Sequence, residues 1–143
     1  MKSVTFGDKR TERLEIFMLG YERPVSGDYH DDNWVSVEVA IHCGSFQGKY
    51  SASFQIGELE AFHRQLVVLY EHLNGVAEFN TLEGQLSLEA TGDGIGHIAI
   101  RGKARDQAGT GNSLLFEIHI DQTQLQDSVR SLADILASYP VRT

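Results

Sequence analysis

Apolar and polar residues alternate along several stretches of the chain, the period of two that sends successive side chains to opposite faces of a β-strand. The clearest is 33–42, where Val35, Val37, Val39 and Ile41 share one face and Ser36, Glu38 and His42 the other. Residues 49–56 repeat the pattern, with Tyr50, Ala52, Phe54 and Ile56 inward and Lys49, Ser51, Ser53 and Gln55 outward. Gly44 and Gly48 supply turn chemistry between these runs, which predicts a hairpin. Earlier, Leu14, Ile16 and Met18 alternate against Glu15, Phe17 and Leu19, a strand apolar on both faces that calls for a cover. Residues 2–7 add a short edge strand.

The period then becomes helical. Leu59, Phe62, Leu66, Leu69 and Leu73 recur every three or four residues from Glu58 to Leu73, with Glu60, His63, Arg64, Gln65, Glu71 and His72 opposite. Asn74 and Gly75, both tolerant of left-handed backbone, are expected to end this helix. Three strands follow at 76–81, 84–91 and 96–104, and a further one carries Leu114, Phe116, Ile118 and Ile120. A second amphipathic helix is predicted over 122–138, with Asp121 as N-cap and Pro140 just past its end. Strand hairpins thus feed a helix twice, through FQIGELEAFHRQL and EIHIDQTQLQDSV, a weak internal repeat. No composition shift or linker separates the halves. The expectation is one α+β domain over 1–143, an antiparallel sheet of about seven or eight strands with two helices packed on one face.

Composition narrows the function. With 143 residues, 41% of them hydrophobic, the chain is long enough to bury its own core, and it has no apolar run of the roughly 18 residues that a membrane span needs. Twenty acids against twelve bases give a net charge of -8, which argues against direct nucleic-acid binding and for solubility or a basic protein partner. A single cysteine, Cys43, allows no internal disulfide and reads as a small filler residue. The charged N-terminal stretch leaves no apolar core for a signal peptide, so the cytoplasm is the expected compartment.

Candidate chemistry is sparse. His42, His97 and His119 fall on polar strand faces with Glu38, Arg101 and Glu117, but without metal-ligand spacing. His63 and His72 read as surface residues. GDGIG and GTGNS match neither a P-loop nor a dinucleotide fingerprint and read as turns, and no nucleophile elbow occurs. No catalytic residue, metal or cofactor is therefore assigned, and the chain is expected not to be an enzyme. The segment GDYHDDNW concentrates charge beside two aromatics, the composition of a protein contact rather than of a calcium loop. Its Asp28, Tyr29, His30, Asp31 and Asp32, with Glu38 on the next strand, are the candidate partner-binding residues. Acids also run without a base over 24–48, 65–100 and 106–129. Brought together, such blocks would mimic phosphate charge and steer a basic partner.

Asp32-Asn33-Trp34 opening a strand, Gly44 and Gly48 at a turn, Leu59 and Phe62 on the first helix, Glu83-Gly84, Gly94, Leu115-Phe116, Asp121-Gln122-Thr123 with Leu125, and Tyr139-Pro140 together resemble the WapI-like immunity family over about residues 30–140. The resemblance implies a small bacterial cytoplasmic protein that binds and neutralises the toxin domain of a contact-dependent growth-inhibition system, in the best-known case a tRNA-cleaving one. It carries over no catalytic residue. Two alternatives stand beside it. One is a homodimer or other assembly module, pairing through the doubly apolar strand with Phe17, Leu19 and Tyr21. The other is a small-molecule site on the polar sheet face with His42, His97, Arg101 and His119.

Overall fold

A computed structural model describes all 143 residues. The fold is α+β, with eight antiparallel strands. The first four are β1 (Ser3–Gly7), β2 (Arg13–Tyr21), β3 (Trp34–Cys43) and β4 (Phe46–Gln55), with a one-turn helix α1 (Tyr29–Asp32) between β2 and β3. Helix α2 (Ile56–His72) leads to β5 (Asn74–Asn80), β6 (Leu86–Asp93), β7 (His97–Gln107) and β8 (Thr110–Asp121), and helix α3 (Gln122–Ser138) follows. Rather than one sheet, the strands form two of four, ordered β1-β2-β3-β4 and β5-β6-β7-β8. Alternation tells which face of a strand is buried but not which strand lies beside it, so the division was not legible in the pattern.

The expected inward faces are inward. Leu14, Ile16, Met18, Val35, Val37, Val39 and Ile41 are buried, as are Ala52 and Phe54. Strand β2 is no edge, because β1 and β3 flank it. Its second apolar face lies open at Leu19, which is half exposed. With no free backbone there, the edge-pairing route to a homodimer through Phe17, Leu19 and Tyr21 does not exist.

Each helix packs against the first strand of the other sheet, α2 on β5 and α3 on β1, and the two helices pack on each other. Each therefore bridges two sheets instead of covering one face of a single sheet. Phe62 on α2 shows the consequence, with ring centroids 6.0 Å from Phe6 of β1 and 5.3 Å from Phe79 of β5. Phe79 in turn meets Phe54 at 5.2 Å. Burying each such ring contributes about 1.5–3 kcal/mol. The internal repeat is visible in the helices. Beyond Ile56, which opens α2, the buried positions are Leu59, Phe62, Leu66 and Leu69 of α2 and Leu125, Ser128, Leu132 and Ile135 of α3, at identical spacing. Both helices open with a capping box, Gln55 with Glu58 and Asp121 with Gln124. The end of α2 differs from expectation. The left-handed residue is Leu73 itself, at φ 59°, and Asn74 and Gly75 already belong to β5.

Candidate partner-binding surface

The six candidate residues occupy two places. Asp28 is the N-cap of α1 and its Oδ1 accepts from the Asp31 backbone N at 3.0 Å. Tyr29 is exposed, its ring edge-on to His30 at 5.7 Å. Asp31 faces solvent and pairs loosely with Arg23 at 3.7 Å. These four side chains therefore share one exposed turn. Asp32 does not join them. It is buried, and its carboxylate accepts from Ser26 N and Ser26 Oγ at 2.8 Å each and from Gly27 N at 3.0 Å. Those bonds, the ones from Ser26 foremost, hold its carboxyl below the usual carboxylate range. Asp32 folds the loop and is not available to a partner. Glu38 also stands apart, on the outer face of the first sheet in an ion pair with Lys49 at 3.2 Å. It lies four residues along β3 from Trp34, roughly 13 Å.

A second set of residues, which the pattern did not single out, clamps the loop. Asn33 is buried, and its Nδ2 donates to Tyr29 O at 2.7 Å and to Arg142 O at 2.9 Å, while its Oδ1 accepts from Arg142 N at 2.7 Å. The Arg142 guanidinium sits 3.5 Å over the Tyr21 ring and donates to Arg23 O at 2.9 Å. The Tyr21 hydroxyl donates to Pro140 O, and Tyr139 packs edge-on against Tyr21 at 5.6 Å. The turn bearing Asp28, Tyr29 and Asp31 is thus held from below by the segment after α3. The sequence shows only an Asn directly after an acidic run, and its burial under the loop comes from the fold.

Two of the three sheet histidines come together and His42 lies apart. His42 lines an open depression of about 390 Å³ on the first sheet, with Arg13, Glu15 and Lys49. His97 and His119 line another of about 330 Å³ on the second sheet, with Arg101. The small-molecule reading thus loses His42 but keeps His97, Arg101 and His119 around one open depression. On the second sheet the register aligns Glu78, Glu89, Arg101 and Glu117 in one row across the outer face. Arg101 Nε donates to Glu117 Oε1 at 2.8 Å, and His119 Nε2 lies 3.1 Å from Glu117 Oε2. Arg101, and then His119, draw the Glu117 carboxyl downward. The second and third base-free stretches thus share a face but are separated on it by Arg101, Lys103 and Arg105 of β7, while the first stays on the other sheet. No group of three or more His, Cys, Asp or Glu side chains is placed to hold a metal ion, and no helix is long and apolar enough to cross a membrane.

Comparison with known proteins supplies what this geometry lacks. The model of the Immunity protein WapI-like family matches residues 5–140. No curated protein matches the chain significantly.

Proposed function

The chain belongs to the Immunity protein WapI-like family, and from that premise we propose that it is a non-enzymatic cytoplasmic protein of a bacterium that binds a cognate toxin domain and neutralises it one to one. The observation that carries this reading is the extent of the family match, 5–140 of 143 residues, which takes in both sheets and both long helices. The net charge of -8 supports a basic partner, such as a nuclease domain whose groove attracts phosphate. The exposed turn with Asp28, Tyr29, His30 and Asp31 is its proposed charged contact, with Asp32 as the residue that shapes the turn.

The test is co-expression with the toxic C-terminal domain encoded immediately upstream of this gene. The expected result is cell survival and a stable equimolar complex. Toxicity undiminished, with no complex recovered, would refute the reading. Within a complex that forms, Asp28→Asn with Asp31→Asn should slow association roughly tenfold at low salt and leave dissociation nearly unchanged, because exposed charges steer encounter more than they hold the docked state. Stopped-flow mixing at two salt concentrations measures this.

A further inference from the structure

In an antiparallel sheet, every second residue of an edge strand turns both its N–H and its C=O away from the sheet. The structure identifies these residues at each edge. On β5, Gln65 Nε2 donates to Glu78 O at 3.3 Å and Glu78 N donates to Gln65 Oε1 at 2.8 Å, so Glu78 faces outward. Alternation through the register Glu78–Glu89–Arg101–Glu117 then turns Glu117 outward on β8, and with it Ser113, Leu115 and His119. The same reasoning on the other sheet starts at Thr5, whose O accepts from Ser128 Oγ at 2.6 Å, and turns Lys49 and Ser51 outward on β4. Gln85 Nε2 does donate to Ser51 O, at 3.2 Å.

On three edges a side chain from outside the sheet bonds one outward residue, Thr5 of β1 by Ser128, Ser51 of β4 by Gln85 and Glu78 of β5 by Gln65, and leaves at most two successive outward residues open on either side of it. The fourth edge is open over a longer run. No backbone group outside the sheet bonds the outward N–H or C=O of Ser113, Leu115, Glu117 or His119, and no side chain does. This open edge belongs to the longest strand, of 12 residues, and carries Leu115 at 75% exposure. A long, uncapped edge with an exposed apolar residue is the template for an added strand.

We propose that the β8 edge from Ser113 to His119 docks an extended strand of the cognate toxin domain, an inference that rests on the immunity reading. Backbone pairing would supply the hold. Specificity would come from a basic side chain beside Glu117 and Asp121 and an apolar one beside Leu115. The charge distinguishes this occupant from a second copy of the chain, which would bring a further net -8 to the contact.

Leu115→Pro tests the proposal, because it removes an outward N–H and leaves the β7–β8 ladder its bonds. With the upstream-encoded toxin domain as probe, the variant should lose roughly 100-fold or more in affinity, the loss of buried pairing without loss of fold, and keep the wild-type circular dichroism. Amide hydrogen exchange on the unmutated protein gives a second measurement. The Leu115, Glu117 and His119 amides should exchange fast when free and become protected in the complex, while Phe116 and Ile118 stay slow throughout. A complex that forms with these amides unprotected, or that Leu115→Pro does not weaken, overturns the edge and leaves the immunity reading standing. Absence of any complex with the wild type overturns both. A dimer of the free protein that Leu115→Pro dissolves would assign the edge to a second copy and overturn the proposal as stated.

Discussion

Asp28, Asp31 and Asp32 lie within five residues of one another, yet only Asp32 is turned inward, where three donors converge on it. Its folded pKa is depressed, so the stability it contributes is present above the unfolded carboxylate range near 4 and is lost as pH falls through the lower folded value. Asp32→Asn should therefore lower the thermal midpoint at pH 7 by about 4 °C or more, and the difference from wild type should shrink as the pH approaches 3. Asp28→Asn and Asp31→Asn, whose side chains face solvent, should change the midpoint far less. Thermal melts at both pH values decide the matter, and equal effects from all three substitutions would contradict the assignment. The residue that reads as a contact in sequence is thus an internal support. Composition cannot tell these carboxylates apart, because the difference lies in where Ser26 and Gly27 point their N–H groups.

Strand pairs raise a different question of fit. Gly102 of β7 faces Phe116 of β8, and a Cβ added at Gly102 would fall 2.1 Å from the Phe116 ring. Gly102→Ala should cost about 1–3 kcal/mol by overpacking, and the cost should shrink in a Phe116→Leu background, a coupling that a double-mutant cycle in urea measures. A cost that stays the same in both backgrounds would show that the ring does not occupy the glycine's space. This pairing also marks how far the elements were legible. Gly102 sits at a buried position of an alternating run and reads as a weak point in a strand until its neighbour is known. Periodicity placed every strand and both long helices, since burying one face imposes periods of two and 3.6. It gave neither the two-sheet arrangement nor the left-handed Leu73, because both depend on partners distant in sequence. The β8 edge was invisible for the same reason. All strands carry the same backbone groups, and only the positions of Gln65, Gln85, Gln124 and Ser128 in space show which outward residues are bonded.

The whole molecule consists of two halves of similar plan that are not independent. Residues 1–73 carry β1–β4 and α2, and residues 74–143 carry β5–β8 and α3. Their helices are exchanged, with α2 against β5 and α3 against β1, and the 30 buried apolar residues of the core come from both halves. A fragment of 1–73 alone would leave Phe54 and Phe62 without Phe79, and would lose the Ser128 bond to Thr5 O. A fragment of 74–143 alone would have no helix over β5 and no Gln65 to bond Glu78 on its edge. Each half thus lacks the apolar burial that must offset its conformational entropy. The expected outcome is that each fragment by itself is unfolded or aggregated, and that equimolar mixing restores the far-ultraviolet circular dichroism of the intact chain. The intact protein should unfold in one transition, with circular dichroism and Trp34 fluorescence coincident. A fragment 74–143 that melts cooperatively alone would show instead that the second sheet with α3 is self-sufficient. In that case the exchange of helices would be a docking of two finished units rather than the source of either unit's stability.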